Sequence, residues 1–293
     1  METEKLLYGF KGFLENEKMS SESTVSSYMA DIRQYMEWCK KPLNEVNKTD
    51  ILSYKMAIES RGVSVATVSR KIASIRCFYQ FLMNSGAVDK DPTINIKSPK
   101  QERKTPETLT ISEVERLLCA PDTNSIKGIR DRAILEIMYG SGLKVSEIVE
   151  LKLDDINLEL EYVKCSESSD GERYVPISKK AKAELQEYLK YGRHVLEKSD
   201  SETLFLNMRG DKLTRQGLWK MIKDYAKVAN IDKNINPLTM RHSFAVHMIE
   251  NGADIKSIQD LLGHVDISTT QIYQLKCDQK LKEVYRKTHP RSK

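Results

Sequence analysis

Between positions 241 and 273 the chain concentrates side chains that can handle a phosphate. Arg241 and His242 open a predicted helix, Gly263-His264 follow the apolar run Ile255, Ile258, Leu261, Leu262, and Thr269, Thr270 and Tyr273 come next. A helix N-terminus leaves backbone N–H groups unpaired and carries partial positive charge, so it favours an anion. A phosphodiester that meets an arginine, a histidine and a tyrosine there would make a phosphoryl-transfer site. The phenol can form a covalent intermediate once the phosphate is held and its charge neutralised. Taken singly, each residue has a plainer role: His242 and His264 as helix-boundary histidines, Tyr273 as a half-buried aromatic.

The elements that must position these groups are mostly helical. Apolar periodicity predicts helices near 2–16, 23–39, 48–60 and 64–84 in the first hundred residues. Asn47 with Asp50 reads as a helix start, and Gly62 and Gly86 as stops. In the last of these helices Val65, Val68, Ile72, Ile75, Tyr79 and Leu82 share a core face, while Thr67, Arg70, Lys71 and Ser74 share another. Hydroxyls interleaved with basic groups suit a phosphate-contacting surface, and equally an ordinary solvated one. Residues 97–108, with prolines at 99 and 106 and basic Lys97, Lys100, Arg103 and Lys104, read as a linker between two domains. It suits a segment following a phosphate backbone, or a plain tether. Thr110 and Glu113 form a capping box that restarts the helices. Further helices are predicted near 126–139, 144–152, 178–196, 214–229, 240–251, 254–262, 268–273 and 278–287. Between 153 and 177 the alternation and a Ser/Asp/Gly turn predict a β-hairpin or three-stranded edge sheet.

The 293 residues carry a net charge of +5, spread over both halves, so any DNA contact must come from clustering on particular faces. No window approaches about 18 uninterrupted apolar residues, and the N-terminus lacks a signal-peptide apolar region; a cytoplasmic protein with no membrane partner is expected. Cys39, Cys77, Cys119, Cys165 and Cys277 are widely separated and read as reduced thiols without zinc-ligand spacing.

The segments RHSFAVH at 241–247, LLGH at 261–264 and TTQIY at 269–273 together resemble the tyrosine recombinase (phage integrase) family, in particular its Xer type. YGSGLKVSEIVELKLDDIN at 139–157, ERYVPI at 172–177 and THPRS at 288–292 fall in family order, so the resemblance covers almost the whole chain. It implies a mainly α fold: a helical, SAM-like core-binding domain over 1–97, a basic linker over 98–108, and a mostly helical catalytic domain with a small antiparallel sheet over 109–293. The two domains of the family clamp double-stranded DNA. The family's reaction links a tyrosine to a 3′-phosphate without metal or nucleotide cofactor, after which a 5′-hydroxyl rejoins the ends. Carried onto this chain, Tyr273 is the nucleophile and Arg241 the second of two phosphate-holding arginines. His264 supports the phosphate and leaving oxygen, and Glu147 braces the site. His242 fits a structural role better than a catalytic one. The tail CDQKLKEVYRKTHPRSK resembles the family segment that docks on a neighbouring protomer, implying self-association on DNA or pairing with an active relative.

Three positions depart from the family pattern. Lys144 stands where relatives carry an arginine, Leu238 where they carry a histidine, and Ser168 where they carry a lysine in a Gly-Lys-Gly triplet. Lysine is a point charge that cannot reproduce the planar, bidentate grip of a guanidinium. Leucine supplies neither hydrogen bond nor proton. Serine is a poor acid for a departing 5′-oxygen, and Glu167 beside it adds negative charge. Loss of a general acid typically costs about 10²–10⁴ in rate, and loss of one charge-stabilising donor about 10²–10³. Lys164, Lys179 and Lys180 are the nearby lysines that could substitute. The expectation is a DNA-binding recombinase-like protein with impaired or lost strand cleavage. An active recombinase with an altered catalytic set, and a protein-interaction scaffold that no longer binds DNA, are the other readings.

Overall fold

Small polar side chains set the helix starts. Ser21, Asn47 and Ser64 each accept a hydrogen bond from a backbone N–H of the turn that follows. They open α2 (Glu22–Trp38), α3 (Lys48–Glu59) and α4 (Val65–Asn84), and α1 (Glu2–Gly12) precedes them. The structure, a computed structural model, describes residues 2–97, 99, 106–167 and 171–263. It divides into two compact units, Met1–Arg103 and Lys104–Lys293.

In the first unit α4 packs against both α2 and α3. Phe10, Phe78, Tyr35 and Tyr79 lie wholly inside, with Phe10 and Phe78 edge-to-face at 5.1 Å and the Tyr35 and Tyr79 hydroxyls 3.0 Å apart. Two partner helices leave α4 a wider buried face than one apolar stripe predicts. Val68, Ile72, Ile75, Tyr79 and Leu82 are core residues as expected, but Val65, in the first turn, is 48% exposed. Lys71 and Ser74 are buried, not on an outer face. The predicted single helix over 2–16 is α-helical only to Gly12 and continues as a π-helical turn, Phe13–Glu17, that turns Phe13 and Leu14 inward.

In the second unit the Thr110–Glu113 capping box is present and opens α5 (Ile111–Cys119). Then come α6 (Ile126–Ser141), α7 (Val145–Glu150) and a three-stranded antiparallel sheet, β1 (Ile156–Asn157), β2 (Tyr162–Glu167) and β3 (Gly171–Pro176), in the order β1-β2-β3. The β2–β3 register pairs Cys165 with Arg173 and Lys164 with Tyr174. The helix expected over 178–196 is α8 (Lys179–Glu187), a π-helical turn Tyr188–Arg193 and the short α9 (His194–Leu196). α10 (Arg215–Val228), α11 (Pro237–Glu250) and α12 (Ile255–Leu262) complete the described part. The main core of this unit gathers Leu135, Ile148, Leu185, Phe205, Leu218 and their neighbours. A smaller cluster of Phe244, Ala245, Val246, Ile258 and Leu262 holds α11 to α12. The helices expected at 268–273 and 278–287 lie outside the described residues.

Candidate active site

The C-terminus of α6 turns sharply at Gly142, whose φ of 61° is left-handed. A Cβ there would fall 2.5 Å from Phe244 Cδ1, so no side chain fits between α6 and α11. The freed Gly142 carbonyl accepts Nη1 of Arg241 at 2.8 Å. Nη2 of Arg241 donates to the carbonyl of Leu262, the last residue of α12. Arg241 is 4% exposed, and its guanidinium ties the ends of two helices together. Helix C-termini carry partial negative charge, which favours a cation at this spot.

α11 starts earlier than the spacing predicts. Asn236 caps it by accepting the Thr239 N–H at 3.0 Å, and Pro237 occupies the first helical position. Arg241 therefore sits in the second turn, and its charge is delivered by the side chain, not by the helix N-terminus. Leu238 lies in the first turn and is 55% exposed. His242 is half-buried. On the far side of α11, His247 Nδ1 meets the Tyr139 hydroxyl at 3.0 Å. Burial, reinforced by Glu115 and Glu136, pushes the Tyr139 phenol above its ordinary pKa, so it stays protonated.

One residue after Leu143, Lys144 opens α7. Its backbone N–H donates to Glu147 Oε2 at 2.6 Å, and its ammonium lies 4.0 Å from Oε1. Oε1 also faces Arg173 Nη1 at 2.7 Å. Arg173 Nε donates to the Leu261 carbonyl at 3.2 Å. Lys144, Glu147 and Arg241 thus gather around the α6–α7 junction, and Arg173 is an unforeseen member. Its signal was legible: Arg173 alternates with Val175 on the inner face of β3, opposite buried Cys165. An arginine on an apolar strand face needs an acceptor inside.

The lysines considered as substitutes lie elsewhere. Lys164 points to the other face of the sheet and pairs with Glu172 at 2.6 Å. Lys179 and Lys180 line a cleft with Ile111, Tyr139 and His247, which does not include Arg241 or Glu147. Ser168, His264 and Tyr273 lie outside the described residues, as do Lys100, Arg103 and Lys104. In the first unit, Thr67 is half-buried, with its hydroxyl 2.8 Å from that of the capping Ser64. Arg70 donates to Asp31 and to the Ser27 carbonyl and keeps 40% of its side chain exposed. Lys71 donates to Asp31 Oδ1 at 2.9 Å and Gln34 Oε1 at 2.6 Å. Its ammonium is directed inward, which corrects the expectation of a solvent-facing basic pair. The physical reason is Asp31, an aspartate 2% exposed on α2 that would be costly to bury without a cation.

Residues 107–280 match the model of the phage integrase family, and residues 7–86 match that of the phage integrase N-terminal SAM-like domain. The chain belongs to the phage integrase family. Among its relatives is tyrosine recombinase XerD of Listeria monocytogenes serotype 4b, 42% identical over 294 residues, covering 98% of this chain and 99% of the relative. Tyrosine recombinase XerD of Staphylococcus aureus Mu50 is 38% identical over 296 residues, covering 99% of this chain and 100% of the relative. Among solved structures, XerA recombinase matches with a TM-score of 0.56 and 29% identity, covering 99% of each chain. XerH site-specific recombinase, crystallised on a palindromic difH substrate, matches with a TM-score of 0.74 and 21% identity over 89% of this chain and 79% of that one. The second likeness bears on the integrase fold alone. Among the described residues no helix is long and apolar enough to cross a membrane.

Proposed function

We propose that this phage integrase family member binds double-stranded DNA and acts in site-specific recombination, with strand cleavage by Tyr273 impaired or lost. The DNA-binding half of this reading is supported by family membership and by full-length relatives named as recombinases. The observation that carries the second half is Leu238. A residue 55% exposed in the first turn of α11, three positions before Arg241, presents hydrocarbon where a proton-handling imidazole is expected. Arg241 and Lys144 bring positive charge to the α6–α7 junction beside Glu147, and the family resemblance supplies His264 and Tyr273 as the remaining catalytic residues. Lys144 neutralises charge without the two-point grip of arginine, and Ser168 is a weak proton source. The chain is thus equipped to hold a phosphodiester better than to break one. A regulatory or architectural role on DNA follows, with the linker over 98–108 tracking the backbone through Lys100, Arg103 and Lys104. The tail engages a second copy or an active relative.

The second reading, an active recombinase with an altered catalytic set, is favoured by the retained Arg241, His264 and Tyr273. Selection of bound duplexes from a randomised pool, followed by affinity measured across salt concentrations, tests the DNA-binding claim. A steep fall of affinity with salt is expected; salt-independent or absent binding would contradict it.

A further inference from the structure

Where the linker of 98–108 enters the second unit, three consecutive residues each have a backbone group held by a side chain. The Thr108 carbonyl accepts Lys233 Nζ at 3.1 Å. The Leu109 N–H donates to Ser243 Oγ at 2.8 Å, across 134 positions of sequence. The Thr110 N–H donates to Glu113 Oε2 at 2.7 Å, and the same oxygen pairs with Lys233 at 2.5 Å. Lys233 comes from the loop between α10 and α11, Ser243 from α11 and Glu113 from α5. The Leu109 side chain is 1% exposed and belongs to the main core. Both the backbone and the side chain therefore fix the exit of the linker.

Ser243 is the informative member. It is wholly buried, and its Oγ donates to the Thr239 carbonyl one turn back at 2.7 Å. A hydroxyl has one hydrogen and two lone pairs. Here the hydrogen goes to the helix, and the oxygen accepts the Leu109 N–H, a buried donor that needs a partner. The turn 239–243, which receives the linker, is the turn that carries Arg241. Arg241 itself donates to the carbonyls of Gly142 and Leu262. This turn of α11 is thus held between the linker exit and the ends of α6 and α12.

We propose that this clamp makes α11 a sensor of the linker: contact between the linker cations and a phosphate backbone passes through Lys233 and Ser243 to the turn bearing Arg241, which DNA then stiffens. This coupling rests on the reading of Lys100, Arg103 and Lys104 as phosphate-tracking. Hydrogen bonds weaken steeply when bent or stretched, so Leu109 cannot shift without moving the turn or breaking its bond. Packed side chains and hydrogen bonds are the physical carriers of such coupling. A tether that ran over the surface on solvated backbone groups would carry no signal.

Amide hydrogen exchange across residues 237–250 of the full chain, with and without a saturating duplex selected from a random pool, tests the coupling. Protection is read as the ratio of the two rates within each variant, which cancels a change of overall stability. The duplex should slow α11 exchange in the unaltered chain. In a chain with Arg103→Gln and Lys104→Gln, saturated with the same duplex, the ratio should fall at least about threefold. Lys233→Met, with the linker cations intact, should lower it similarly. Lys233→Arg keeps a cation for Thr108 and Glu113 and should retain it. Ser243→Ala should behave as Lys233→Met; should it not fold, the two Lys233 variants decide. An α11 ratio indifferent to the linker variant or to Lys233→Met overturns the proposal. If the linker variant binds as tightly as the unaltered chain at every salt concentration, the phosphate-tracking reading fails and the coupling with it. A reduced salt slope with an unchanged α11 ratio overturns the coupling alone.

Discussion

Helical spacing puts Arg70 and Lys71 on one basic face; both converge on Asp31, with Lys71 buried and Arg70 partly exposed. A carboxylate 2% exposed beside a lysine 7% exposed is a buried pair, and removing one partner strands the other's charge. Asp31→Ala should therefore lower the stability of the first unit by about 3–5 kcal/mol in urea unfolding. Lys71→Ala should cost stability as well while leaving the salt slope of DNA binding intact. A Lys71→Ala protein of full stability and reduced salt slope would restore the outward-facing reading. Helical spacing places Lys71 and Ser74 on a common face with Thr67 and Arg70, but spacing cannot show that α4 has two neighbours. Nor does it show that Asp31 of α2, forty residues back in the chain, meets Lys71 in space. Arg173 is the opposite case, since strand alternation alone puts it on the inner face.

Helix starts were the most readable elements because caps are local chemistry. The boxes at Asn47–Asp50 and Thr110–Glu113 form as their spacing predicts. Glu113 accepts from the Thr110 N–H and also pairs with Lys233. Burial pushes its carboxyl up, but hydrogen bonds from Lys233 and Thr110 outweigh that and hold it below the ordinary 4.5. A depressed carboxylate contributes stability above its unfolded pKa and loses it as pH falls through the folded one. Glu113→Gln should therefore remove part of the acid-induced loss of stability below about pH 4.5, measured as unfolding midpoint against pH. An unchanged acid limb would contradict the assignment. The start of α11 is less legible: apolar spacing places it near 240, whereas the Asn236 cap and Pro237 set it three residues earlier. Gly142 shows what a turn residue does for a site. Gly142→Ala combines a left-handed backbone, worth about 1–2 kcal/mol, with a collision with Phe244, and should loosen the carbonyl that holds Arg241. Lower thermal stability with weakened DNA binding is expected; a neutral effect on both would show that the junction is not rigid.

At the scale of the whole molecule, the family was legible because its signature segments are spread along the chain in a fixed order. The geometry of the site was not. Glu147, Arg173 and Arg241 come from three separate elements, and their meeting depends on how α7, α11 and the sheet pack. Family membership makes DNA the expected ligand, and the departures at Lys144, Ser168 and Leu238 are the ground for the proposal that cleavage is impaired. The most direct measurement is covalent capture on a nicked suicide duplex carrying a selected site, where a released fragment traps any phosphotyrosyl product. A bound duplex with little or no covalent product is expected for the unaltered chain. Combining Leu238→His, Lys144→Arg and Ser168→Lys should raise the trapping rate by at least about 10², a gain abolished by Tyr273→Phe. Efficient trapping by the unaltered chain, lost in Tyr273→Phe, would contradict the proposed loss of cleavage.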